Sequence, residues 1–268
     1  MSNRRFPQLM KCMGSLLIVA ILAGCVTTTD SRFAREADEE KALEDYVQLA
    51  TAYIAQGNYD RARMHLERAL QINPQSAPAQ AAMGLILQRE GETELAEAEF
   101  VQALDQDPDY TRARVYYAAF LFGQGRYQAA RDQFASASSD TGYPDRGAVF
   151  YNLGLTESRL GNAEAAARAF KRSVELNRGD ARAMLALASA LVDAGEYDEA
   201  ARYYDRLVAM MARNKQMTHT PESLLTGIRL ARHQGDQNRE ASLALLLRNQ
   251  YPNSEQYQKY KALKSDDN

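Results

Sequence analysis

Residues 43–74, LEDYVQLATAYIAQGNYDRARMHLERALQINP, and residues 77–108, APAQAAMGLILQREGETELAEAEFVQALDQDP, can be laid on one another with a shift of 34. Ala50, Gly57, Ala62, Leu66, Ala69 and Pro74 then stand opposite Gly84, Gly91, Ala96, Phe100, Ala103 and Pro108. Small residues at Ala50 and Ala62 let two antiparallel helices approach closely, Gly57 supplies the turn between them, and Pro74 ends the second helix. A fixed period of this length means a helix-turn-helix unit that buries its apolar face against its neighbours. The predicted fold is all-α: a right-handed superhelix of about six such units and about thirteen helices, without a sheet.

The first unit resembles the tetratricopeptide frame throughout, with Tyr46, Leu49, Ala50, Tyr53, Gly57, Tyr59, Ala62, Leu66, Ala69 and Pro74 in order. A third unit carries Tyr117, Ala118, Leu121, Gly125, Tyr127, Ala130, Phe134 and Ala137, with Gly142 where the proline would stand and Pro144 two residues on. The spacing then slips by two, so that the loop Ser138–Arg146 is the one lengthened connection, read either as a binding feature or as tolerated length. A fourth unit follows with Phe150, Leu153, Gly154, Gly161, Ala166 and Phe170, and a fifth with Met184, Leu187, Ala188, Leu191, Gly195, Tyr197, Ala200 and Tyr204. The sixth is degenerate, with Leu224, Ile228, Ala231, Gly235, Ala244 and Pro252 in place but Glu240 where a small residue belongs. The units are placed near 43–76, 77–110, 111–146, 147–180, 181–214 and 221–253, within a repeat domain over 39–253, and residues 254–268 form a polar capping helix, Ser254–Leu263, and a tail.

The chain of 268 residues is 46% hydrophobic and 25% charged, which suits a folded chain rather than a disordered one. A formal charge of −3 argues against nucleic acid, which asks for a clustered basic surface.

Ahead of the repeats, Arg4, Arg5 and Lys11 precede the apolar run Leu16–Leu22, which is the length of an export-signal core and too short to span a bilayer. It ends in Leu22-Ala23-Gly24-Cys25, which resembles the bacterial lipobox, whose cysteine receives a diacylglycerol thioether before cleavage in front of it. The alternative, a chance cysteine behind an ordinary signal peptide, needs another cleavage site, and Ala20–Ala23 offers a mediocre one. The reading is residues 1–24 as signal peptide, Cys25 as the lipidation site, and 25–38 as lipidated N-terminus and polar tether. Cleavage would remove three basic residues and no acidic one, leaving a net charge of −6 and Cys25 as the only cysteine. Two or three acyl chains make such an anchor effectively permanent. Val26, in place of the aspartate that retains such proteins in the inner membrane, points to the outer membrane, on its periplasmic face.

In a helical-repeat superhelix the first helix of each unit lines the inner surface, and the frame assigns Val47, Thr51, Ile54, Leu85, Arg89, Val115, Ala119, Phe122, Tyr151 and Leu155 to it. Two readings stand: these residues line a groove for an apolar or amphipathic peptide, or the apolar ones pack against the next unit. Arg182, Arg229, Arg232 and His233 would make the inner face of the last units more basic, either to orient an acidic partner segment or as a solvated charged face.

Catalytic and metal-binding patterns are missing. His65 is placed on the solvent face of a second helix, His219 and His233 are isolated, and no H-E-x-x-H, phosphate-cradling glycine loop, G-x-S-x-G or Cys-x-x-Cys occurs. No enzyme, metal, cofactor or small-molecule substrate is expected.

The order of signal peptide, lipobox and about six tetratricopeptide units is similar to that of the type IV pilus biogenesis lipoproteins, the pilotin PilF/PilW family. The resemblance implies an outer-membrane lipoprotein whose early repeats bind subunits of the pilus secretin so that they localise and assemble. A different envelope tetratricopeptide lipoprotein, scaffolding peptidoglycan hydrolases or other assembly factors, is the alternative.

Overall fold

Each hairpin closes on a glycine that leaves right-handed space, from Gly57 (φ +74°) in the first to Gly235 (φ +73°) in the last, a backbone that side-chain-bearing residues adopt only under strain. The computed structural model describes residues 32–265, with side chains from residue 35. Among the described residues thirteen helices follow one another and no strand occurs: α1 Arg32–Ala55, α2 Tyr59–Ile72, α3 Ala77–Glu90, α4 Thr93–Gln106, α5 Thr111–Gly123, α6 Tyr127–Ser139, α7 Arg146–Arg159, α8 Ala163–Leu176, α9 Ala181–Asp193, α10 Tyr197–Arg213, α11 Pro221–His233, α12 Gln237–Gln250 and α13 Glu255–Ser265. Helix starts are marked by side chains that accept from free backbone N–H groups: Asn58 for α2, Ser76 for α3, Asp180 for α9, Thr220 for α11 and Asp236 for α12. Proline at the first or second position of α3 and α11 fits the same logic, since its missing N–H would have no partner there.

Within a hairpin, a small residue on the first helix faces a large one on the second. A Cβ added to Gly84 would come within 2.7 Å of the Phe100 ring, and one on Gly154 within 2.6 Å of Phe170. Glycine costs about 1 kcal/mol against alanine inside a helix, so close approach to a phenylalanine is what keeps it there. In the sixth hairpin the order is inverted: the large Ile228 sits on α11 and the small Ala244 on α12, both buried in one cluster. That inversion keeps the core of the sixth unit filled although Glu240 departs from the frame.

The hairpins stack in sequence. α1 packs on α3, α3 on α5, α5 on α7, α9 on α11 and α11 on α13, whereas the fifth hairpin meets the fourth through α9 on α8. The apolar core divides accordingly: one cluster runs from Ala50 in α1 to Val149 in α7, a second from Ala166 to Tyr204 with Leu230, and a third joins α11, α12 and α13.

Three expectations change. α1 starts at Arg32, so the polar tether expected over 25–38 does not reach residue 38; Arg35–Lys41 are exposed, and this charged, alanine-containing stretch extends a helix already nucleated by the first unit. Cys25 and the rest of the segment ahead of Arg32 lie outside the described residues. The loop after α6 is not the only lengthened connection, because α10 runs on to Arg213 and Asn214–Thr220 form a second. The final helix is not wholly polar: Tyr260 is buried, and Tyr257 and Leu263 pack on the third cluster.

Candidate protein-binding groove

The inner face of the first three units opens into a trough of about 930 Å³. Leu43, Val47, Thr51 and Ala52 of α1 form one wall; Tyr110 to Arg112 at the start of α5 and Asp140 to Pro144 of the lengthened loop form the other. The loop is held in place from both ends. The Thr111 hydroxyl donates to Asp140 Oδ2 at 2.6 Å, the Gly142 N–H donates to Asp140 Oδ1 at 2.9 Å, and Arg146 Nε donates to the Ser138 carbonyl at 2.7 Å. The Thr111 hydroxyl, then the Gly142 amide, hold the Asp140 carboxyl below its ordinary pKa. Burial pushes the Tyr110 and Tyr143 phenols up, with the nearby Arg112 guanidinium pulling back. The lengthened loop is therefore a wall of the trough.

Of the ten residues placed on the inner face, Val47 and Thr51 line this trough, and the Thr51 hydroxyl is turned to the Val47 carbonyl at 2.9 Å. Ala119, Phe122 and Leu155 come together with Phe134 and Asn152 around a separate small cavity of about 80 Å³ between the third and fourth units. The other five line neither cavity. Ile54, Leu85 and Val115 are half-buried against the first core cluster, Arg89 is exposed near the end of α3, and the Tyr151 ring lies 5.6 Å from that of Phe170 with the Arg182 guanidinium 5.9 Å above it. The frame did not point to Tyr110 or Tyr143, which reach the trough from connections, nor to Arg112 in the first turn of α5. The slipped spacing at Ser138–Arg146 was the one sequence signal for them.

The later inner face is closed by polar links. Ser189 on α9 donates to Glu222 Oε1 on α11 at 2.8 Å, and Gln256 on α13 donates to Glu222 Oε2 at 3.1 Å. Tyr251 donates to the His219 carbonyl at 2.7 Å. The basic face expected there is largely neutralised: Arg229 pairs with Asp193 at 2.5 Å, Arg182 meets Asp180 at 3.4 Å, and the His233 ring stacks on Tyr197 with centroids 3.8 Å apart. His65 is not on a solvent face either, since its ring lies between Tyr46 and Tyr53, at 5.9 and 5.4 Å. Among the described residues no group of three or more histidine, cysteine or acidic side chains could hold a metal, and no helix is long and apolar enough to cross a membrane.

Tetratricopeptide repeat models match residues 43–86, 87–142 and 151–214. The type IV pilus assembly protein PilF of Pseudomonas aeruginosa is 36% identical over 249 residues, covering 92% of this chain and 96% of that protein. The chain belongs to the PilF family. The solved structure of Pseudomonas aeruginosa PilF superposes with a TM-score of 0.71 at 37% identity, over 84% of this chain and 99% of that one. PilW, described as a widely conserved type IV pilus biogenesis factor, gives 0.63 at 25% identity, over 81% and 97%. The chain is thus a tetratricopeptide protein of type IV pilus biogenesis, in a PilF family of repeat scaffolds that typically work by binding other proteins.

Proposed function

We propose that this PilF-family protein is a lipid-anchored pilotin. Acyl chains on Cys25 hold it on the periplasmic face of the outer membrane, and its early repeats bind secretin subunits so that they reach that membrane and multimerise. The supporting observation is the open trough on the first three units of a chain that matches PilF over nearly its whole length. No bond is made or broken in such an escort: binding energy, not catalysis, does the work, and no cofactor is required. The lipobox residues Leu22 to Cys25 support the anchor, because two or more acyl chains give a membrane residence that outlasts a client's binding and release.

Deleting the gene tests the escort directly. Secretin multimers that survive denaturing gels, and surface pili, should both disappear and return on complementation; unchanged multimers and pili would contradict the proposal. The anchor is tested apart from this by Cys25→Ala, which should leave the outer-membrane fraction and lose label from radioactive palmitate.

A further inference from the structure

Acidic side chains predominate in the lining of the trough on the early units. Glu40 and Glu44 stand along α1 and Asp109 before α5, and among the described residues none of the three is in an ion pair. Among the described residues the one basic side chain in the lining, Arg112, is turned among the phenols of Tyr110, Tyr116 and Tyr143. A second cleft, of about 490 Å³, shares Glu40, Leu43 and Pro78 with the trough and adds Glu39 and Asp107 but, among the described residues, no basic side chain. The two together make one elongated channel with an apolar floor and an acidic rim. An extended segment fits such a shape better than a compact ligand, and a channel of one sign concentrates the opposite charge.

We propose that the channel takes an extended protein segment in which basic side chains alternate with apolar ones, the apolar groups seated on Leu43, Val47 and Tyr143 and the basic ones paired with Glu40, Glu44 and Asp109. This deepens the pilotin reading by naming the chemistry of the client segment. Charge sets preference and approach, while the apolar floor supplies most of the affinity. The rim pairs are exposed, so each contributes modestly and the preference weakens with salt.

The test uses the full-length lipidated protein in detergent micelles and three synthetic twelve-residue peptides of one apolar pattern, with lysine, glutamine or glutamate at the alternate positions. The lysine peptide should bind at least tenfold tighter than the glutamine peptide, the glutamate peptide should bind weakest, and the gap should narrow between 50 and 500 mM salt. Charge reversal by Glu40→Lys with Glu44→Lys should invert the order, whereas Glu164→Lys on α8, outside the channel, should leave it unchanged. Both α1 positions are exposed, so the helical circular-dichroism signal and melting curve should stay at wild type. Equal affinities for the three peptides, or a lysine preference that survives reversal at Glu40 and Glu44 or at Asp109, would overturn the proposal. Such a failure would leave the gene-deletion result standing, and loss of the pilotin reading would leave the peptide preference standing.

Discussion

The first three units and the last three are built on one frame, and their inner faces have opposite characters. In the first, α1 and the start of α5 stand apart across an acid-rimmed trough. In the last, Glu222 joins α9 to α11 and α13, and Arg229 is tied to Asp193. Five of the six units keep the frame and the sixth fills its core by an inverted pair, so the difference between the faces comes from residues outside it: a lengthened loop that becomes a wall in one half, and polar side chains that meet across the gap in the other. A tetratricopeptide core fixes the distance between helices, and what lies between the first helices of successive units is left free to be a binding surface or a brace.

The largest expected effects break the two halves at their hairpin cores. Phe100→Ala should cost about 3–5 kcal/mol and Ile228→Ala about 2–5 kcal/mol, read as shifts in the denaturation midpoint. The inverted packing of the sixth hairpin makes a sharper case: Ile228→Gly with Ala244→Phe should recover much of the loss, because it restores the arrangement of Gly84 with Phe100. A midpoint no better than that of Ile228→Gly alone would mean that the two positions do not share one volume.

Alkaline stability probes the late half next, at its most strongly shifted phenol. Burial pushes the Tyr204 phenol up to about 12, and its hydroxyl has no hydrogen-bond partner. A group with a raised folded pKa stabilises fully below its unfolded value near 10 and loses that contribution as pH rises through the folded value. Between pH 10 and 12 the loss is about 3 kcal/mol, centred on α10 and α11. Tyr204→Phe should cost little at neutral pH, since the hydroxyl it removes is unpaired, and should flatten the alkaline limb of the stability curve; an unchanged limb would show that Tyr204 is not its source.

Smaller effects concern the brace and the wall. Glu222→Ala removes the acceptor for both Ser189 and Gln256 and should cost about 1–3 kcal/mol, with faster hydrogen exchange in α13 and none of the change in α1 to α4. Asp140 is half-buried at the lip of the trough and carries the smallest effect. Its folded pKa is lowered, so its hold on the loop is present above the ordinary aspartate value and fades as pH falls through the lower folded one. Exchange of the Gly142 amide should therefore lose its protection only in that acid window, and Asp140→Asn should remove this pH dependence.

Much of this fold could be read before any coordinates, because glycine turns, small helix contacts and facing aromatics are local consequences of a 34-residue period. The trough could be read only in part. Val47 and Thr51 follow from helix position, but Tyr110 and Tyr143 reach it from separate connections, and no period within one unit relates them. His65 was misplaced for a similar reason: the rings that cover it, Tyr46 and Tyr53, belong to α1, a different helix. The start of α1 escaped notice because Arg35–Lys41 bury nothing and show no apolar period, only residues that continue a helix well. The closed late face was hidden in Ser189, Glu222 and Gln256, three polar residues that become partners only when two hairpins and the final helix are stacked.

The contrast between an open early face and a braced late one is tested most directly by photo-crosslinking in living cells. A photoreactive amino acid placed at Tyr143 in the trough, and in a second strain at the exposed Arg182 on α9, reports which inner face the client touches. The account predicts a secretin adduct from position 143 and none from position 182. An adduct from 182 with none from 143 would contradict it.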